Sequence, residues 1–171
     1  MLKGGARRSI GRADAVARTV VRQPKLLAVL IDGMADADPL VRMRAADAAE
    51  KATRQHPEWL VPFKGRLLGN IATSHQAELR WHVAQMLPRL ALGRREERKA
   101  IQILMHYLRD DSRIVKVSSM QALADLAQHN PMLKPCVVPL LKKLTRTGSA
   151  AMRSRGRRLL STFEEESAQT V

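Results

Sequence analysis

Arginine is concentrated near the carboxyl end of the chain, where residues 148–160 read GSAAMRSRGRRLL. Arg153, Arg155, Arg157 and Arg158 lie in this stretch without a neighbouring acid. Guanidinium groups bind phosphate and carboxylate groups through paired hydrogen bonds. The stretch therefore indicates either a contact for a polyanion, such as nucleic acid, or the polar side of a structural helix.

Two other groups of side chains could do chemistry. His75, Glu78 and His82 stand at i, i+3 and i+7, so one arc of a helix could bring them to a metal ion. No cysteine or second cluster completes a ligand set, so a solvated helix face is favoured, and we predict neither metal nor cofactor. Asp110 and Asp111 form a carboxylate pair, but they fall in a predicted turn, which favours a helix cap.

Catalytic signatures are missing from the sequence. Catalysis needs a nucleophile beside a base, or perturbed acids that converge in a pocket. The chain has no G-x-S-x-G motif, no glycine-rich phosphate loop and no Cys–His arrangement of recognisable spacing. We therefore predict no catalytic residues and no enzyme activity. Cys136 is the only cysteine, which excludes an internal disulfide and favours a reducing, cytoplasmic location.

Positive charge gathers at the two ends of the chain. The 171 residues include 30 Lys+Arg and 16 Asp+Glu, for a formal net charge of +14. Residues 1–25 hold seven basic residues and one acid, residues 131–171 hold eight and three, and the middle is nearly balanced. Such a charge favours a polyanionic partner. The Arg-rich amino terminus is also typical of a targeting sequence, and that alternative stays open.

A helical pattern that recurs about every 37 residues must position these side chains. Each copy has an apolar residue followed by a basic one, and we call the apolar residue the anchor. Offsets of 0, 4, 8 and 11 from the anchor trace one face of a helix, and an apolar pair eleven and twelve residues upstream belongs to a preceding helix. The anchors are Val41, Leu79, Val115 and Met152, and the predicted two-helix units span about 24–55, 56–92, 93–129 and 130–163.

One helix pair cannot bury its own apolar surface, so the units are expected to stack into one continuous core. Residues 9–22 carry small and apolar residues on one side, which predicts an N-terminal capping helix. The predicted domain therefore spans residues 9–163. Residues 1–8 are predicted to form a basic arm, and residues 164–171 a polar tail.

The pattern over residues 24–163 resembles the HEAT and HEAT-like repeats. The resemblance implies an all-α fold, a right-handed α-α superhelix, or solenoid, of about four two-helix repeats. It also implies a ladder between neighbouring repeats, formed by an Asp six residues before each basic residue. Two copies keep the acid, and Ser74 and Thr147 replace it in the others. The implied ladder residues are Asp36, Arg42, Arg80, Asp110, Lys116 and Arg153.

A rotation of about 100° per residue sorts the side chains of each second helix. Offsets 3, 6 and 10 are left for solvent, and the resemblance implies that this polar stripe lines a concave surface, where solenoids bind partners. The stripe comprises Arg44, Asp47, Lys51, His82, Gln85, Arg89, Ser118, Gln121, Asp125, Arg155, Arg158 and Thr162. Trp81, at offset 2, either packs between repeats or anchors a partner at the groove edge. The candidate partner contacts are Arg44, Lys51, Trp81, His82, Arg89, Arg155, Arg157 and Arg158.

Two binding functions stay open. The first is a non-catalytic scaffold that binds another protein through the concave face. The alternative is contact with a duplex or structured DNA or RNA backbone through the basic ends, since five aromatic residues are too few for base stacking. The HEAT-like DNA glycosylases place a catalytic acid among aromatics, and neither Asp47 nor Asp125 has such neighbours. No apolar run approaches the roughly 18 residues of a membrane span, and the oligomeric state stays open.

Overall fold

The structure, a computed structural model, describes residues 12–169. Every regular element in this range is helical and none is a strand, so the all-α prediction is confirmed. The predicted arm, residues 1–8, lies outside the described residues. The first three residues of the predicted capping helix, 9–11, lie outside them as well.

Nine α-helices follow one another along the described part of the chain. They are α1 (Ala13–Arg22), α2 (Leu27–Gly33), α3 (Pro39–Ala52), α4 (Lys64–Leu67), α5 (Ala77–Met86), α6 (Arg94–Tyr107), α7 (Arg113–His129), α8 (Lys134–Thr147) and α9 (Ala150–Gln169). Short 3-10 turns at Pro24–Leu26, Pro57–Phe63, Leu87–Arg89 and Pro131–Leu133 join or extend them. Proline occupies the first or second position of each turn, where its missing N–H costs no helical hydrogen bond.

The second helix of each copy carries the anchor, and we call α3, α5, α7 and α9 the anchor helices. Each anchor helix packs against the next one in the series, and α1 packs against α3. Three of the preceding helices pack on this series: α2 on α3, α6 on α7, and α8 on both α7 and α9. The fold is therefore built from contacts between elements that are close along the chain.

The core lies along the anchor helices, at the offsets predicted from the 3.6-residue period. All four anchors are buried, and the small residues four positions later are enclosed as well. Burial of this apolar stripe supplies the main driving force for packing the helices together. Leu160 is the exception among the predicted core offsets, because it is only half-buried in the last helix.

The first helix of the second copy is less regular than the pattern predicts. Residues 57–63 form a 3-10 turn, and only the short α4 follows it. Pro62 lies inside this turn, where it lacks the N–H that an α-helix would use. Two glycines, Gly65 and Gly69, weaken the helix further because glycine is conformationally free.

The last helix is longer than predicted. α9 continues to Gln169, so residues 164–169 are helical instead of forming the expected tail. Glu166 explains the extension, because its carboxylate accepts hydrogen bonds from Lys134 Nζ at 3.0 Å and Gln128 Nε2 at 2.9 Å. These contacts hold the end of α9 against α7 and the start of α8.

Gly156 is expected to reject the smallest side chain. It is buried in α9, and an added Cβ would lie 1.9 Å from Thr145 Oγ1 and 3.0 Å from Thr145 Cβ. Thr145 cannot move freely because its hydroxyl donates to Leu141 O at 2.7 Å. We expect Gly156→Ala to lower the free energy of unfolding by about 1–3 kcal/mol, although alanine gains about 1 kcal/mol over glycine in a helix. Urea denaturation measures the change.

Gly65 provides the matched control for this substitution. It also lies in a helix, α4, but no heavy atom would come within 4 Å of an added Cβ. Gly65→Ala is therefore expected to raise the free energy of unfolding by about 0.5–1 kcal/mol. An equal gain at both positions would show that the Gly156 site has room for a methyl group.

Candidate binding surfaces

The polar stripe predicted on the anchor helices lies largely in the seams between helices. Arg44 and His82, at offset 3, are 2% and 5% exposed, and Asp47, at offset 6, is 7% exposed. Ser118, at offset 3 of the third copy, is 8% exposed. The prediction that these positions face solvent is therefore wrong for all four residues. Each anchor helix packs against its neighbours in the series, which encloses positions that a single helix would leave open.

Lys51, a candidate partner contact, fastens α3 to α1. Its Nζ lies 2.5 Å from Asp14 Oδ1 and 2.9 Å from Asp47 Oδ2. The hydrogen bond and charge of Lys51 lower the pKa of Asp14. Partial burial would lower the pKa of Lys51, but the two carboxylates outweigh it and raise that pKa. The ammonium group is therefore already neutralised within the protein.

Arg89, another candidate contact, is held by a buried carboxylate of the preceding copy. Its Nη2 forms an ion pair with Glu50, and its Nη1 donates to Glu50 O at 3.1 Å. Glu50 is 1% exposed and also pairs with Arg54 Nη2 at 2.7 Å. Burial would raise the pKa of Glu50, but the hydrogen bonds and charges of Arg54 and Arg89 together lower it.

The three carboxyl-terminal arginines among the candidate partner contacts divide into one structural residue and two exposed ones. Arg155 is half-buried and donates from Nη1 to Gln121 Oε1 at 2.7 Å, which connects α9 to α7. Gln121 in turn donates to Asp125 Oδ1 at 2.7 Å. Arg157 and Arg158, by contrast, have exposed side chains.

Trp81 and His82 both pack inward. Trp81 is half-buried against the core, and its enclosed Nε1 has no hydrogen-bond partner in the part of the chain that is described. Its ring meets the His82 ring edge-on, with centroids 4.8 Å apart. Burial lowers the pKa of His82 to about 4, although the carboxylates of Asp47 and Glu50 oppose the shift. His82 Nε2 lies 4.0 Å from Asp47 Oδ1, too far for a hydrogen bond.

Two basic residues of the implied ladder reach forward to the next copy. Arg42 Nε donates to Gln76 Oε1 at 2.8 Å. Arg80 Nη1 forms an ion pair with Asp110 Oδ2, and its Nη2 donates to His75 O at 2.6 Å. Thus the partner across the seam is an amide in one case and a carboxylate in the other.

Ladder residues also make contacts within their own copy. Arg42 Nη1 donates to the backbone oxygen of Asp36 at 2.7 Å, and Arg153 Nη1 donates to Gly148 O at 2.8 Å. The side chain of Lys116 has no ion pair or hydrogen bond with any residue from 12 to 169. Because each basic residue has a different arrangement, the ladder is not one uniform chain of side chains.

The side chain six residues before each basic residue, which we call the acid position, also forms a hydrogen bond within its own copy. In three copies its oxygen accepts a hydrogen bond from the backbone N–H two residues later, as in an Asx or Ser/Thr turn. The bonds run from Asp38 N to Asp36 Oδ1 at 2.8 Å, from Gln76 N to Ser74 Oγ at 3.3 Å and from Ser112 N to Asp110 Oδ1 at 2.7 Å. This role explains why a serine can replace the acid in the second copy.

The three side chains considered for a metal ion differ in their surroundings. His82 is buried, whereas His75 is exposed and Glu78 is half-buried. The interpretation as a solvated helix face is therefore wrong for His82. Among residues 12–169, no three His, Cys, Asp or Glu side chains are grouped as metal ligands would be.

A basic surface lies on α6. The net charge counted along the chain does not reveal it. Its exposed side chains fall within an arc of about 140° at 100° per residue, and none is acidic. We call this surface the α6 face; it comprises Arg94, Arg95, Arg98, Lys99, Gln102, Met105 and His106. Its four Arg and Lys side chains form no ion pair with a described residue, and exposed Arg109 follows in the next turn.

The two acids of α6 point away from this face. Glu96 accepts hydrogen bonds from Lys64 Nζ at 2.7 Å and Gly93 N at 2.8 Å, and these two contacts lower its pKa. Glu97 accepts from Asn130 Nδ2 at 3.0 Å. In the run RREERK two acids offset two of the four basic residues along the chain, but around the helix the two signs of charge are separated. Helical periodicity is the signal that reveals this separation.

Exposed basic residues also lie on the last two helices. Lys142, Lys143 and Arg146 are exposed on α8, and Arg157 and Arg158 are exposed on α9. Unlike the α6 face, α9 also exposes acids, Glu164 and Glu165. The α6 face is therefore distinguished by four exposed Arg and Lys side chains on one helix that exposes no acid.

Comparison with known proteins gives no relative for this chain: no family model, no curated protein and no solved structure matches it. Within residues 12–169, no helix combines the length and the apolar character that crossing a membrane demands.

Proposed function

We propose that this chain is a non-catalytic binding protein whose partner is the phosphate backbone of duplex or structured DNA or RNA. The α6 face is the observation that carries the proposal, because it presents four cations without an acid. Such a surface binds phosphates and releases the counterions condensed around them. The other predicted contacts support this choice indirectly, since Lys51 and Arg89 are neutralised by carboxylates within the protein.

The scaffold in this proposal is a HEAT-like solenoid, a right-handed α-α superhelix of four two-helix repeats. Three observations support it: the sequence pattern of about 37 residues, the serial packing of the anchor helices, and the contacts that Arg42 and Arg80 make across the seams. The proposal includes a cytoplasmic location, which the single cysteine favours.

The proposed contact is with the backbone because aromatic side chains for base stacking are not presented. Tyr107 and Phe163 are buried, and Phe63, Trp59 and Trp81 are half-buried. The Trp59 ring is also stacked on His56, with centroids 4.1 Å apart. Proteins that hold single strands expose aromatic platforms, whereas phosphate contacts position a protein on a duplex without reading its sequence.

A protein partner is the second candidate, and one observation favours it. An apolar cleft of about 520 Å³ lies among α1, α2 and α3, lined by Val16, Leu26, Leu30 and Val41. Val29 also lines it and is 62% exposed. Exposed apolar surface of this kind is typical of protein interaction sites.

Binding of duplex DNA across a salt series tests the first candidate. Four phosphate contacts predict a slope of log affinity against log salt of about −3.6, which is a loss of about 100-fold between about 50 and 200 mM salt. Fluorescence anisotropy with a labelled duplex measures it. Negligible affinity at the low-salt end would overturn the nucleic-acid proposal and leave the protein scaffold as the better candidate.

A further inference from the structure

A cavity of about 340 Å³ opens beside the α6 face. It lies between α5, α6 and residues 68–75, which follow α4. Leu68, Ala72 and Tyr107 contribute apolar wall. Tyr107 is fixed in place, since it is fully buried and its hydroxyl donates to Ala72 O at 2.7 Å. This part of the cavity is therefore a rigid wall.

Hydrogen-bond donors line the rest of the cavity. Lys99, Gln102 and His106 come from one face of α6, at i, i+3 and i+7, and His75 comes from the segment before α5. All four side chains are exposed, and none forms a hydrogen bond with another residue of the described range. Their donors are consequently available to a ligand.

The cavity is lined by cationic and neutral side chains without a carboxylate. Arg80 belongs to its wall, and the nearby Asp110 is occupied by Arg80 Nη1 and by Ser112 N at 2.7 Å. The ion pair between Arg80 and Asp110 holds the guanidinium in place. Lys99 therefore contributes an uncompensated positive charge to this cavity.

We propose that this cavity binds a single phosphate group. The oxygens of a phosphate accept hydrogen bonds from several directions, which suits the ammonium, amide N–H₂ and imidazole N–H on α6 together with the imidazole N–H of His75 on a second wall. A cation is disfavoured because Lys99 and Arg80 line the cavity and no carboxylate does. The inference rests on the proposed function in one respect: the group is a backbone phosphate when nucleic acid lies on the α6 face, and free phosphate offers the same chemistry.

Titration of the full chain with inorganic phosphate tests the cavity directly. Amide chemical shifts of residues 99–106 report binding, and sodium chloride of equal ionic strength controls for screening. We expect Lys99→Ala and His106→Ala each to weaken phosphate binding about tenfold, as the loss of one charged or polar contact does. Both side chains are exposed, so the fold is expected to persist, and the melting temperature checks it.

Arg113→Ala is the matched control, because Arg113 is exposed at the start of α7 and does not line the cavity. It removes the same charge and is expected to leave phosphate binding unchanged. If phosphate binds no better than chloride, or if Lys99→Ala and His106→Ala bind it as the wild type does, the inference is overturned.

Duplex DNA distinguishes the source of the phosphate. If the duplex competes with inorganic phosphate for the cavity, the group is a backbone phosphate and both proposals are supported. If inorganic phosphate binds and the duplex does not bind at all, the cavity is a site for free phosphate and only the proposed function falls. If the duplex binds while inorganic phosphate leaves the amide chemical shifts of residues 99–106 unchanged, the proposed function stands and the cavity inference is wrong.

Discussion

Replacing Arg95, Arg98 and Lys99 with alanine is expected to weaken duplex binding at least 100-fold at about 50 mM salt. The three side chains are exposed on the α6 face and have no ion-pair partner among the described residues, so their removal deletes phosphate contacts without leaving a buried charge. The slope of log affinity against log salt should become shallower by about three, since each lost contact removes about one unit. Anisotropy titrations at several salt concentrations give both quantities.

The corresponding change on α8 separates a specific surface from overall charge. Lys142, Lys143 and Arg146 are also exposed, and their replacement with alanine lowers the net charge by the same amount. We expect the fold-change in duplex affinity of this variant to be less than about one tenth of that of the α6 variant. Equal losses would mean that the net positive charge, rather than the α6 face, drives binding.

Acid is expected to destabilise the protein through His82. Burial lowers the pKa of His82 to about 4, below the ordinary value of 6.5 that applies after unfolding. The unfolded state therefore binds more protons as the pH falls below 6.5, so stability is lost across the window from 6.5 to about 4. The expected loss is about 2 kcal/mol between pH 7 and pH 5 and about 3 kcal/mol by pH 4. Urea denaturation at each pH measures it.

His82→Gln removes the titration while keeping a polar side chain of similar length. This variant should lose far less stability between pH 7 and pH 5, whatever its stability at pH 7. His129→Gln is the control, because His129 is exposed and its replacement should leave the loss in place. Carboxylates with lowered pKa values, such as Glu50, lose their stabilising effect mainly as the pH falls below about 4.5. They therefore fall outside the comparison between pH 7 and pH 5. The same pH dependence in the His82 variant would contradict the assignment.

The core could be predicted from the sequence because it depends on local periodicity. Residues such as Leu79, Val83 and Leu87 recur at helical spacing, and burying them is what the helix must do in any packing arrangement. The end of α9 could not be predicted in this way. Its last turns are held by Glu166 contacts with Lys134 and Gln128, whose positions depend on the packed α7 and α8.

The candidate surface was predicted less well, for two physical reasons. Whether a polar residue faces solvent depends on the neighbouring helix, so Arg44 and His82 were placed at the surface although both are buried. The net charge along the chain, in turn, does not show how charge is distributed around a helix. Along the chain Glu96 and Glu97 offset two of the four neighbouring basic residues, while their side chains contact other elements and leave the α6 face without an acid.

The ion pair between Glu50 and Arg89 means that the four copies are not interchangeable parts. Arg89 stands at offset 10 of the second copy, and Asp125 occupies that offset in the third. A shortened chain that joined the first copy directly to the third would bring a carboxylate toward Glu50 in place of a guanidinium. The copies thus share a length and an apolar pattern, while the junction between the first and second copies depends on a guanidinium that the third copy does not supply at the same offset.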